Sequence, residues 1–180
     1  LWIDRALSYK KVLEKADYCV VPTRFLADSI RSLNTNVIVS PNGFSSVNLK
    51  IANHWRSNRP DHSDGYLRLG YASGTPTHNS DFKEIIQPLR EFLFKNDNWK
   101  LTIVGHLDKE LLSNNFDARQ IEIRPIVEHI NLAYELSRFT INLVPLEPTN
   151  PFCVAKSPLK WYESALVGTP TIACENATYL

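Results

Sequence analysis

Apolar positions along this chain change period every few residues, and the changes divide it into short helices and strands. Ile3–Ala16 carries Ala6, Leu7, Val12 and Leu13 at helical spacing, and Tyr18–Pro22 is a short apolar run of strand type. Thr23 suits the cap of a second helix, Phe25–Leu33. Asn36–Ser40 reads as another strand, closed by the turn signal Pro41-Asn42-Gly43. Ser45–Gly65 is polar and weakly patterned, and reads as a connection or hinge. The alternation then becomes regular. Strands are expected at Leu67–Ala72, Leu101–Val104, Ile121–Arg124, Phe139–Val144 and Thr171–Ala173. Helices are expected at Asp81–Phe94, Lys109–Leu112, Glu128–Leu136 and Pro158–Val167. In the first of these, Phe82, Ile85, Ile86, Leu89 and Leu93 share the inward face, and Pro88 marks a kink.

Strands alternating with helices in units of roughly 25 residues predict an α/β fold, a Rossmann-like parallel sheet with helices on both faces. Sheets of this kind bind ligands at the carboxyl ends of their strands. The loops to inspect are therefore Ser73–Asp81, Gly105–Asp108, Pro125–His129 and Pro145–Ser157.

A chain of 180 residues holds one domain with a real core, or one domain and part of another. It opens on Leu1 and stops soon after a strand, which reads as a fragment of a longer polypeptide. The net charge of +1 gives no reason to expect nucleic acid as a partner. No apolar run is long enough to span a bilayer, so no integral membrane segment is expected in the fragment. The three cysteines, Cys19, Cys153 and Cys174, are too widely spaced for a disulfide framework or a zinc knuckle. Cys19 and Cys174 lie in apolar runs that suit buried, reduced thiols, and a reducing compartment fits. The triplet Asn176-Ala177-Thr178 matches a glycosylation signal, but without a secretory signal it reads as chance.

The most suggestive chemistry lies in Lys156–Ala173. Ser157 suits an N-cap, Pro158 the first helical position and Gly168 the stop. Lys156, Lys160 and Glu163 then fall on one face, with two cations near the outward N–H groups of a helix start and a carboxylate one turn deeper. A helix start of this kind suits an anion, and a carboxylate accepts hydrogen bonds from sugar hydroxyls. A surface ion pair between Lys160 and Glu163 is the simpler reading of those two alone. The loop Ser73-Gly74-Thr75-Pro76-Thr77-His78 is rich in hydroxyls that suit phosphate oxygens, although it is neither a P-loop nor a dinucleotide fingerprint. The plain alternative is a capped loop with no ligand. Gly105 permits close backbone approach, and His106 beside it has a ring able to bond a ligand. Arg124-Pro125-Ile126-Val127 follows a strand and suits either a base edge or a simple turn. His78, His106 and His129 have no tight mutual spacing, so no metal is expected.

The order of these motifs resembles the retaining, nucleotide-sugar-dependent glycosyltransferases of the GT-B fold, family 4 or group 1 type. Four segments carry the resemblance: Ala16-Asp17-Tyr18-Cys19-Val20-Val21-Pro22-Thr23-Arg24-Phe25-Leu26, Ser40-Pro41-Asn42-Gly43-Phe44, Ile103-Val104-Gly105, and Glu163–Ala173 with its Gly168-Thr169-Pro170 turn. They run in the family's order over nearly the whole chain. The resemblance implies that residues 1–44 end an N-terminal, acceptor-side domain with its crossover, and that residues 45–66 form the connection. Residues 67–180 would then form a C-terminal nucleotide-sugar-binding domain, the C-terminal half of a GT-B fold, truncated at its end. It also implies that Glu163 holds the donor ribose and that Lys160 lies near the diphosphate.

Two departures from the family stand out. The first acid of its E-x7-E motif falls at Ala155, and its Arg and Lys after the first C-terminal strand give way to the Ser73–His78 loop. In a variant of this kind the loop hydroxyls, with Lys156 and Lys160, replace the missing basic groups.

The donor-binding set expected on these grounds is Ser73, Gly74, Thr75, Thr77, His78, Gly105, His106, Ile126, Lys156, Ser157, Lys160 and Glu163. The expected activity is transfer of a sugar from a nucleotide-diphosphate-sugar to a saccharide or lipid-linked hydroxyl acceptor, in surface polysaccharide or glycoconjugate synthesis. The nucleotide-sugar is a substrate and no cofactor is invoked. The fragment alone is expected to be inactive. The expected location is cytoplasmic, with peripheral attachment at the inner membrane face open to the full-length protein. A GT-B-like sugar-nucleotide epimerase and a non-catalytic nucleotide-sugar-binding module are the alternatives, the latter favoured by Ala155.

Overall fold

A computed structural model describes residues 2–75 and 78–175, and for residues 2–6 the backbone alone. The chain divides into two compact units, one formed by residues 1–43, 149–158 and 175–180, the other by residues 44–148 and 159–174.

In the first unit α1 (Trp2–Lys15) leads to β1 (Cys19–Val21), α2 (Arg24–Ile30) and β2 (Val37–Val39). The two strands pair in parallel. Cys19, Val21, Ala27 and Ile30 form their small core. Thr23 caps α2 by accepting from the Leu26 amide, as its β-region backbone allows. Its hydroxyl also donates to the carbonyl of Ala155, which ends a short helix at Pro151–Val154, α8 in chain order.

The second unit is built on one parallel sheet in the order β5-β4-β3-β6-β7. The strands are β3 (Leu67–Ser73), β4 (Trp99–Gly105), β5 (Ile121–Arg124), β6 (Ile141–Val144) and β7 (Thr171–Ala173). Numbered within the unit this is 3-2-1-4-5, the doubly wound pattern with helices on both faces, as the sequence predicts. Alternation along the strands sorts their side chains. Leu69, Tyr71, Leu101 and Ile103 share a core with Phe82, Leu89, Leu93 and Leu112 of the helices α4 (His78–Lys83), α5 (Ile86–Lys95) and α6 (Lys109–Ser113). A second core joins Val104 and Phe139 to Ala52, Leu136 and Val167. It lies against α3 (Ser46–Ser57) and α7 (His129–Ser137). Gly70 is required on that side, since a Cβ there would lie 2.0 Å from the Phe139 ring.

Several element readings need correction. Ser45–Gly65, read as a connection, contains the twelve-residue helix α3. Ser45 caps it in a reciprocal box with Asn48, and Trp55 packs on Tyr134 at 4.7 Å. Just beyond, Arg59 donates to the carbonyls of Phe139 and Gly168 and to the Thr169 hydroxyl. The helix docks through Asn48, Ile51, Ala52 and Trp55, its less exposed positions at i, i+3, i+4 and i+7, and the Arg59 bonds close the segment beyond it. The single helix expected over Asp81–Phe94 is two, broken between Lys83 and Ile86. Pro88 has no N–H for the Glu84 carbonyl and its ring would clash there, so the ladder stops a turn earlier. The strand expected from Phe139 begins at Ile141, because Phe139 turns into the second core. Cys174 is half-buried, not buried. The triplet Asn176-Ala177-Thr178 lies outside the described residues.

Candidate functional site

Strand order reverses between β3 and β6, and the crevice at their carboxyl ends is where a doubly wound sheet takes a ligand. The loop after β3 begins with Ser73, which is buried, and continues through the exposed Gly74 and Thr75. The Ser73 hydroxyl donates to the Thr75 carbonyl, and its own carbonyl accepts the amide of His106 from the loop after β4. The two loops approach backbone to backbone because residue 105 is glycine. Its φ is +96°, and a Cβ would lie 2.1 Å from the Ser73 oxygen. Ile126, exposed in the loop after β5, lies alongside Gly105. Thr77 is outside the described residues.

His78 opens α4. Its Nδ1 lies 3.1 Å from Oδ2 of Asp81, and the Tyr71 hydroxyl donates to its carbonyl. Asp81 is only 2% exposed, and its other oxygen accepts the Glu147 amide from the loop after β6. One carboxylate thus joins the loops after the two strands that flank the crevice. Asn79 makes the matching tie to the loop after β4 by accepting the Asp108 amide. Asp81 and Tyr71 are not among the residues expected from the sequence. The His-x-x-Asp spacing at a helix start was the available signal, since i and i+3 share a face.

Lys160 and Glu163 lie on α9 (Leu159–Leu166). The Lys160 ammonium lies 5.1 Å from the centre of the Tyr71 ring, which brings it to the carboxyl end of β3. The Glu163 side chain is 13% exposed and its Oε1 lies 3.4 Å from Nε2 of His129, the first residue of α7. Burial pushes the Glu163 carboxyl above the ordinary range, and His129 and Lys160 pull it back. Glu163 and His129 also line a shallow cleft whose floor is largely apolar, with Ala52, Ala133 and Leu166 among its walls.

Lys156 and Ser157 are placed otherwise than the sequence suggests. Helix α9 begins at Leu159, so both precede it and belong to the first unit. There the Ser157 hydroxyl receives the side-chain amide of Asn42, and the Lys156 ammonium lies 3.4 Å from Cys153 Sγ and 5.2 Å from the Phe152 ring centre. The sequence spacing treats Lys156 as an extension of the helix. The turn after α8 is closed by the Ala155 and Lys156 amides on the carbonyls of Pro151 and Cys153.

The described site can therefore present glycine and hydroxyl-bearing loops, a cation, an imidazole held by a buried carboxylate, and a second half-buried carboxylate. That set suits a ligand with both anionic and hydroxyl groups.

The doubly wound parallel sheet has the architecture of the GT-B fold, as the resemblance implied. No protein-family model and no curated protein sequence matches this chain. Solved structures do. TarM of S. aureus, a mutant in complex with fondaparinux, alpha-GlcNAc-glycerol and UDP, aligns with TM-score 0.65 and 14% identity, over 96% of this chain and 33% of that one. The pneumococcal O-GlcNAc transferase GtfA, in complex with UDP and GlcNAc, aligns with TM-score 0.63 and 16% identity, over 93% of this chain and 32% of that one. Sucrose-phosphate synthase of Thermosynechococcus elongatus aligns with TM-score 0.63 and 17% identity, over 94% and 43%. The chain thus spans about a third of the length of TarM and GtfA. Among the described residues no helix is long and apolar enough to cross a membrane.

Proposed function

We propose that this chain forms the donor-binding part of a retaining glycosyltransferase, which moves a sugar from a nucleotide-diphosphate-sugar to a hydroxyl acceptor. The observation that carries the reading is the pair on α9. Lys160 lies beside Tyr71 at the carboxyl end of β3, and Glu163, one turn on, keeps a carboxylate at 13% exposure. A carboxylate is retained at such a cost where it has hydrogen-bond donors to receive. In this reading those donors are the ribose hydroxyls, and Lys160 with the Ser73–Thr75 loop receives the diphosphate. Ile126 and the Gly105-His106 backbone bound the base.

Bond breaking places charge on the leaving diphosphate while an oxocarbenium-like centre develops on the sugar. Groups that bind the diphosphate more strongly as its charge grows lower the barrier. The acceptor is a saccharide or a lipid-linked hydroxyl. Ala155 stands where the family has an acid, so donor-sugar contacts differ in this chain.

The test is a thermal-shift titration with nucleoside diphosphates and nucleotide-sugars. A ligand at 100 times its dissociation constant stabilises by about 2.7 kcal/mol, visible as a raised melting temperature. Lys160→Ala and Glu163→Ala should each abolish most of that shift. Full shifts in both variants would sink the assignment.

A second reading has one observation behind it. An epimerase needs an acid/base group facing the sugar, and the imidazole of His78, fixed by Asp81, is of that kind. Incubating the full-length protein with donor alone separates the two, since only an epimerase changes the sugar without an acceptor.

A further inference from the structure

We propose that His129 is a positioning residue for Glu163, holding its carboxylate as an oriented acceptor so that the site selects ribonucleotides over deoxyribonucleotides. This rests on the donor-site reading above. The imidazole comes from the first residue of α7 and the carboxylate from the middle of α9, brought to 3.4 Å only by the packing of those helices. The two side chains differ sharply in exposure, 63% for His129 and 13% for Glu163. The exposed ring gives little to the core, and its contact with the half-buried carboxylate is what it contributes. One oxygen faces His129 Nε2, and a diol bound at the carboxylate takes the remaining lone pairs.

The surroundings make that contact matter. The floor of the cleft is largely apolar, and α3 contributes Asn48 to it rather than a charge. The charged or titratable groups acting on Glu163 are His129 from α7 and Lys160 from its own helix. Burial favours the protonated carboxyl, which has one acceptor fewer and is a poor partner for two hydroxyls. His129 opposes that protonation. Without the imidazole, Glu163 takes up its proton at a higher pH, and the loss of ribose recognition on acidification moves up with it. The sign follows from the raised carboxyl: recognition is present above its pKa and disappears as pH falls through it.

The experiment is calorimetric binding of ADP, UDP, GDP and CDP and their 2′-deoxy counterparts at pH 6 and pH 8, to the wild-type chain, His129→Ala, His129→Arg and Glu163→Gln. The wild type should prefer the ribose form by about tenfold, the scale of one hydrogen bond to a charged group. His129→Ala should cut the preference to about twofold or less, with the larger effect at the lower pH. Its affinity for the deoxy forms and its melting temperature should stay the same. His129→Arg, with a permanent cation, should restore the preference at both pH values.

A purely structural role would lower the melting temperature and weaken both nucleotide forms alike, and that result overturns the inference. So does binding in which His129→Ala keeps the full ribose preference, although the donor-site reading then stands. Binding of no nucleoside diphosphate by the wild type overturns both.

Discussion

At the amino end of the five-stranded sheet, Arg68 donates to Glu122, to Asp64 and to the Tyr66 carbonyl, and its guanidinium meets His62. Glu122 in turn receives Thr102 and Arg138, and further along β5, at its last residue, Arg124 forms a bidentate pair with Glu135 of α7. Charge there is matched by charge. At the carboxyl end the loops are tied to one another through the Ser73 carbonyl, Asn79 and Asp81, while Gly74, Thr75, His106, Ile126 and His129 face solvent. Both ends are polar and both are ordered by hydrogen bonds. The difference is where the bonds are spent. The amino end uses them to hold helices on the sheet. The carboxyl end uses them to hold loops in place around exposed groups, which is the arrangement a ligand site needs.

The sharpest way to break the comparison is Arg68→Ala. It takes one guanidinium from Glu122, which keeps Arg138 and Thr102, and removes several hydrogen bonds to charged groups, each worth about 1.5–3 kcal/mol, so a loss of about 3 kcal/mol is expected. Urea unfolding should register that loss, with nucleotide affinity of the folded fraction unchanged. Gly105→Ala should do less to stability, about 1–3 kcal/mol, and more to the site. A Cβ at φ +96° and 2.1 Å from the Ser73 oxygen must separate the two loops, so nucleotide binding should fall at least tenfold, about the loss of one charged-group hydrogen bond. If Gly105→Ala binds normally, the loop ties are structural and the contrast between the ends dissolves. Asp81→Asn should be milder, about 1–2 kcal/mol, since the amide keeps one acceptor for Glu147 N–H but changes its contact with His78. A larger effect on binding than on the melting temperature is expected.

The smallest effect concerns pH. The Arg68 side chain beside Asp64 lowers its carboxyl from 3.8 to about 2. Burial works against Glu122, yet Arg68, Thr102 and Arg138 bring its carboxyl below the ordinary value as well. Carboxylates depressed in the folded state stabilise it above their unfolded pKa. That stabilisation should fade between about pH 4 and about pH 2. Asp64 is 40% exposed, so after solvent screening it contributes under about 1 kcal/mol. Asp64→Asn should flatten this limb of the stability curve by that small amount. An unchanged acid limb would show that the amino-end network is already saturated without Asp64.

Much of the fold was legible because strands buried on both faces announce themselves as apolar runs. Leu67–Ala72 and Leu101–Val104 needed no tertiary information, although the strands extend to Ser73 and over Trp99–Gly105. Helix α3 was not legible, since of its twelve residues only Ala52 is buried, and its anchors, Trp55 and the Arg59 just beyond, act through distant partners. The local clues were the Ser45–Asn48 cap and the helical spacing of Ile51, Ala52 and Trp55 among polar neighbours. In the candidate site, Lys160 and Glu163 could be picked out from helical spacing and the family resemblance. The helix start read at Ser157-Pro158 did not hold, because a short turn follows α8 and α9 begins only at Leu159.

The sequence by itself determined the alternation of elements, the parallel sheet and the loops at its carboxyl edge, because these follow from local period and chain connectivity. Only the tertiary structure decided which side chains meet there. Asp81 reaches the Glu147 amide 66 positions away, and His129 meets Glu163 across two helices. Contacts of that range are set by how helices pack on a twisted sheet, which no window of sequence records.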